Sequence, residues 1–195
     1  MTAMSHEPSP PGSTPAGKAL FFPARYRVEM MTELETIRDL YRHKAEARRL
    51  YLRAIWGLPV KERYKDRGAT FPTLVDIYLH ILDDHRFWFI QGYRRQRFQD
   101  YPLGIRMSRS EAERATHDVE KLTEEVLEEL RPQDLSRKIL PLGDKHPITI
   151  RGMLLQLNMG ELQHQGELNA LFWQMDKVAP FLGYRLWRFP SPQSR

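Results

Sequence analysis

The sequence predicts an all-α fold, a four-helix bundle with at least one crossover connection. Three observations carry that prediction. Four long stretches repeat apolar residues at helical spacing, their ends coincide with capping or helix-breaking residues, and the connections are too long for a simple series of helical hairpins. A chain of 195 residues is enough for one domain with a sizeable core.

The first helix is expected from about Thr32 to Trp56, where Ile37, Tyr41, Ala45, Leu52 and Ile55 share a face and Gly57 with Pro59 supplies the stop. The second begins near Thr73, which has capping-box spacing to Asp76, and runs towards Arg95 through an unusually aromatic second half. Ser110 precedes the third, in which Ala115, Val119, Leu122, Val126 and Leu130 form the inner stripe, the outer face is acidic, and Pro132 closes the helix. Residues 138–140 and 147–150 flank Gly143-Asp144-Lys145 and predict a short β-hairpin leading into the last helix, about Ile150 to Lys177. The aromatic segment PFLGYRLWRFPSP that follows is expected to pack back onto the domain.

This gives a flexible Pro-rich tail over residues 1–26, the bundle over 27–185 and a C-terminal tail over 186–195. Five of the 14 prolines fall in the first 25 residues, among Ser, Thr and Gly, a mixture too poor in apolar surface to offset its ordering entropy. It lacks the basic start and apolar stretch of a secretory leader, and no apolar run is long enough to span a membrane, so a cytoplasmic protein is expected.

The absence of cysteine excludes disulfides, thiolate metal sites and cysteine nucleophiles together, leaving His, Asp and Glu as metal ligands. The net charge of +5 is a modest surplus. Arg42 to Arg53 and YRRQRF from Tyr93 to Phe98 interleave Arg with aromatics, as a nucleic-acid surface does, but a solvated helix face paired with the acids of the third helix explains them more simply. Nucleic acid is therefore not an expected partner. Glycine-rich phosphate loops, nucleophile elbows and internal repeats are absent from the sequence.

The last helix is the informative one. Leu154, Leu157, Glu161, His164, Leu168, Leu171 and Met175 step by three and four, so an acid and an imidazole occupy inner positions of a leucine seam. A buried carboxylate needs a cation, a hydrogen-bond network or a metal facing it. On the second helix His80, Asp83, Asp84 and His85 cluster, with His80 and Asp84 one turn apart and able to reach one ion. The helical wheel points His85 to the core and puts His80 on a more polar side with Asp76, Asp84 and Gln91. Glu161-Leu162-Gln163-His164 has the Glu-x-x-His form of di-iron carboxylate bundles, but the chain holds no second such element.

His80, Asp83 and His85 with their aromatic continuation, followed by GELQHQGELNALFWQM and PFLGY, resemble the DinB/YfiT-like family of metal-dependent proteins over about Glu29 to Tyr184. That resemblance implies a four-helix bundle of up-down-down-up connectivity, often dimeric, with one divalent ion such as nickel or zinc at one end. The ion would be bound by three side chains and open to water. The family's second-helix histidine maps onto His80 and the last histidine of its H-x-x-x-H element onto His164, with Gly166 and Glu167 where the family has glycine and a polar residue. Its remaining ligand, His or Glu, maps onto Gly160, which has no side chain.

The expected metal ligands are therefore His80, Glu161 and His164, with Glu161 replacing the ligand missing at Gly160. The implied function is a metal-dependent enzyme, a homodimer acting on a small-molecule substrate by transfer, isomerisation or hydrolysis, with a low-molecular-weight thiol as a further cofactor. The alternative is a non-enzymatic dimeric bundle with a decayed metal site that binds an anionic partner.

Overall fold

The computed structural model describes residues 31–189. The expected tail over residues 1–26 and the last six residues lie outside them. The described residues are mainly helical, 66% helix and 3% strand. Its elements are α1 (Glu33–Gly57), α2 (Val60–Arg63), α3 (Leu74–Arg86), α4 (Arg109–Glu129), β1 (Lys138–Ile139), β2 (Ile148–Thr149), α5 (Ile150–Gln174) and α6 (Tyr184–Arg188). Among the described residues no helix is long and apolar enough to cross a membrane.

Helix α1 starts where the sequence provides a complete capping box: the Thr32 hydroxyl accepts from the Glu35 amide, and the Glu35 carboxylate accepts from the Thr32 amide. Helix α4 starts from Ser108, two residues earlier than expected, by the same device with Glu111. Both Ser108 and Ser110 have a glutamate three residues on, so local spacing does not choose between them. Tertiary contacts do, because the Met107 amide donates to the Tyr64 hydroxyl at 3.0 Å and its carbonyl accepts from the Trp56 indole at 3.3 Å, which fixes the chain entry at Ser108.

The second predicted helix is α-helical only to Arg86. It continues as a π-helical segment, Phe87–Tyr93, in which the Arg94 amide donates to the Phe89 carbonyl five residues back. Helix α5 ends at Gln174 rather than Lys177. Asp176 takes a left-handed conformation (φ 54°), the Lys177 amide donates to the Phe172 carbonyl and the Asp176 amide to that of Trp173, a Schellman ending that leaves no room for another turn. The hairpin forms as expected, with Lys138 opposite Thr149 and Ile139 opposite Ile148 in an antiparallel pair. Its connecting loop is tied to the π-helical segment by the Gln91 side chain, which donates to the Leu142 carbonyl at 2.7 Å.

Helices α1, α3, α4 and α5 pack on one another. Their buried residues form two apolar clusters, one around Trp56, Tyr78, Val119 and Leu168, the other around Leu34, Phe89, Val126 and Leu154. Between these clusters every one of the four helices carries buried polar residues: Lys44 and Arg48 on α1, His85 on α3, Glu120 and Thr123 on α4, Glu161 and Gln165 on α5. The aromatic C-terminal segment, expected to pack back, includes α6, a helix where the sequence suggested only a tail. The Tyr184 hydroxyl donates to Asp39 at 2.6 Å, and His43 meets the Tyr184 and Trp187 rings edge-on.

Candidate metal centre

Three acids stand on α3, Asp76 in its first turn and Asp83 and Asp84 near its end, and hydrogen bonds sort them by role. Asp76 accepts from the Thr73 hydroxyl at 2.6 Å and the Gly104 amide at 2.7 Å. Asp83 accepts from Arg86 at 2.6 Å and the Tyr101 amide at 2.8 Å, while the Arg86 guanidinium lies over the Phe98 and Tyr101 rings. These two carboxylates fasten the loop before α4. Asp84 has no such hydrogen-bond partner among the described residues; its Oδ1 lies 3.5 Å from His80 Nε2, one helical turn back.

His80 and His164 meet edge to face with ring centroids 4.7 Å apart, so α3 and α5 each contribute one imidazole to the same place. One donor atom each from His80, Asp84 and His164 lies within 4.8 Å of the other two, and these three side chains could hold a metal ion. Neighbours fix both rings. Phe71 stacks on His80 with centroids 4.0 Å apart. His164 Nδ1 faces Glu167 Oε2 at 3.3 Å, and Glu167 Oε1 accepts from the Thr70 amide at 2.7 Å. A carboxylate on Nδ1 orients the ring and leaves Nε2 as the nitrogen available to an ion, the usual support for a ligating histidine.

Electrostatics favour the same reading. Burial, reinforced by the neighbouring His164, pushes His80 down to about 4, so it is a neutral imidazole at neutral pH. Burial also pushes Asp84 up to about 6, against the attraction of His164 and with Glu161 and Asp100 adding repulsion. A carboxylate held in this state lacks a counter-cation. A cavity of about 360 Å³ opens beside His80 and Asp84, walled by Phe71, Leu79, Phe87 and Tyr101 with Asp100 at its edge.

Glu161, the expected third ligand, is buried as the leucine seam predicted but is engaged elsewhere. Its Oε2 accepts from Arg48 Nη1 at 2.7 Å and from His85 Nε2 at 3.0 Å, and its Oε1 accepts from Gln165 at 2.9 Å. Arg48 Nη1 and His85 Nε2 lie 3.1 Å apart because both donate to the same oxygen. The charge compensating Glu161 is therefore a cation from α1, and Asp84 stands beside the two histidines where Glu161 was expected. At Gly160 a Cβ would lie 3.7 Å from Asp84 Oδ2, an ordinary contact, so α5 passes close to the carboxylate arriving from α3 at the position where the resemblance expected a ligand.

The sequence reading placed Arg42 to Arg53 on a solvated face. Arg42, Arg49 and Arg53 are exposed, but Arg48 and Lys44 are 1% and 4% exposed and belong to the interior. The signal that could have found them is the inward Glu161, which required a buried cation opposite. Tyr93 to Phe98 behaves as read, with Arg94 paired to Glu125 and Glu129 of α4.

The buried Glu161–His85–Arg48 group makes the fold acid-sensitive. Burial pushes Glu161 up, but Arg48 and His85 outweigh it and bring the carboxyl down to about 2; burial and Arg48 bring His85 down to about 4. Both folded values lie below the ordinary ones, so the unfolded chain binds more protons across this window and stability falls with pH. It should be complete above about pH 6.5 and decline first as His85 and then as Glu161 is approached. Urea midpoints at pH 7.5, 5.5 and 4.5 should fall in that order; a flat series would contradict the buried pair.

Neither protein-family models nor the curated proteins give a match for this chain.

Proposed function

We propose that the protein is a metal-dependent enzyme of the DinB-like type, a four-helix bundle holding one divalent ion through His80, Asp84 and His164. The observation that carries this reading is the convergence of two imidazoles and a carboxylate that makes no short hydrogen bond, with His80 and Asp84 of the three lining a cavity. The up-down-down-up arrangement is supported by the two apolar clusters: α1 and α5 run from the Leu34 cluster to the Trp56 cluster, and α3 and α4 run the other way.

A set of two histidines and one carboxylate suits zinc, nickel or a similar divalent ion, and it leaves coordination positions for water or a small thiol. When bound, the ion supplies Lewis acidity for a transfer, isomerisation or hydrolysis. The chain's own residues do the rest. Glu167 holds the His164 ring by Nδ1, Phe71 holds the His80 ring by stacking, and Asp84 contributes the negative charge of the set. Phe71, Phe87 and Tyr101 offer an apolar wall to a small substrate, and Asp100 at the edge disfavours an anionic one. A homodimer through α5 is supported by Met159, Leu162 and Trp173, which lie on one helix face and are 68%, 60% and 65% exposed.

Elemental analysis of the purified protein, followed by zinc titration of the metal-stripped form, tests the proposal. We expect about one equivalent per chain. Because a ligand must be deprotonated, the proton competes at Asp84, and affinity should fall at least tenfold per unit below about pH 6. A protein that neither arrives with metal nor takes up zinc would favour the decayed-site alternative.

A further inference from the structure

The polar layer between the two apolar clusters is not electrically balanced. Lys44 and Arg48 are both buried, and the carboxylate bonded within their group is Glu161; Glu120 is held by Arg49 from the surface, and Asp39 by Tyr184 and Arg188. The Lys44 ammonium donates to a neutral acceptor, Gln165 Oε1, at 3.2 Å. Burial lowers Lys44 from its usual value, against the attraction of Glu161, as befits a cation short of counter-charge.

Arg48 shows the same shortage in its geometry. Its Nη1 serves Glu161, but Nε and Nη2 are buried and have no hydrogen-bond partner among the described residues. Those two N–H groups form the side-on fork of the guanidinium, the edge that grips a carboxylate in two parallel bonds. Leaving such donors buried and unpaired is costly. Arg48 is also part of the wall of a cavity of about 290 Å³ between α1 and α4, together with Tyr41, Ala45, Thr123 and Leu127. This cavity shares no lining residue with the one beside His80 and Asp84.

We propose that the α1–α4 cavity is a second ligand site, which takes a small monocarboxylate on the Nε–Nη2 edge of Arg48. The bound carboxylate makes up the missing negative charge of the polar layer. Tyr41, Ala45 and Leu127 accommodate a short aliphatic chain. Glu120, Glu124 and Glu128 also border the cavity, but so do Arg38 and Arg42, so with Arg48 the lining charges balance, and it is the apolar wall that favours a carboxylate with a short chain over inorganic phosphate. The site stands independently of the metal centre.

The test is a titration of the full chain with butyrate, acetate and inorganic phosphate. It is read by the melting temperature and by the 15N–1H signal of Arg48 Nε. Butyrate is expected to saturate with a Kd of about 1–10 mM, as suits a ligand of so few atoms, and to move the Arg48 signal. Acetate and phosphate, which lack the aliphatic chain, should both bind more weakly. Ala45→Phe fills the cavity without touching the Arg48–Glu161 pair and should weaken butyrate at least tenfold. Arg48→Lys, which keeps the charge and loses the fork, should do the same. Absence of a saturable shift up to about 50 mM, tighter binding of phosphate, or undiminished binding by Ala45→Phe would each overturn the proposal. So would a high-resolution crystal structure grown with butyrate in which Nε and Nη2 are bonded to water alone.

Discussion

Asp84→Ala is expected to weaken zinc binding by about 100-fold or more, because removing a supporting residue around a metal already costs 10- to 100-fold and Asp84 is placed to touch the ion. The metal-free variant should melt no lower than wild type. Asp84 makes no short hydrogen bond, and burial raises its pKa towards neutrality, so the folded protein is burdened by this charge until a cation arrives. A group that is costly to stability and placed beside two imidazoles is the pattern expected of a functional residue. His80→Ala and His164→Ala should lose zinc to a similar degree. Calorimetric titration with zinc beside thermal melts of the stripped variants checks both halves, and a loss of metal-free stability without loss of affinity would assign Asp84 a structural role.

Glu161→Ala should behave in the opposite way. It leaves Arg48 buried without its carboxylate, and breaking a buried pair from one side costs about 3–5 kcal/mol. For a chain of this size that corresponds to a fall in melting temperature of roughly 10 °C or more. His85 loses its acceptor at the same time, and Gln165 its partner at 2.9 Å. At a temperature where the variant is folded it should still take up one equivalent of zinc. Equal loss of metal by Glu161→Ala and His164→Ala, with no change in stability, would return Glu161 to the ligand set.

The contrast between Asp84 and Glu161 shows where the sequence was legible. The seam on α5 correctly pointed Glu161 and His164 inward, since its leucines at 154, 157, 168 and 171 are all buried beside them. The wheel of α3 correctly pointed His85 to the core, where it is fully buried, while His80 lies on the polar side that the cavity solvates. Periodicity reads the direction of a side chain on its own helix; it does not read which side chain of another helix arrives opposite. That is why the seam on α5 does not reveal Arg48 as the partner of Glu161, and why the one-turn spacing of His80 and Asp84 does not by itself make Asp84 a ligand. The start of α4 at Ser108 escaped for a related reason, because Tyr64 and Trp56 set it from distant positions. The π-helical segment has no propensity signature of its own, and the aromatic run at 87–89 reads equally well as an α-helix.

A crystal grown with zinc and measured on both sides of the zinc absorption edge tests the central claim most directly. One anomalous peak per chain is expected, about 2.0–2.2 Å from a His80 nitrogen, an Asp84 oxygen and His164 Nε2, with Glu161 still bonded to Arg48. A peak on the Glu161 carboxylate, or none between α3 and α5, would contradict it.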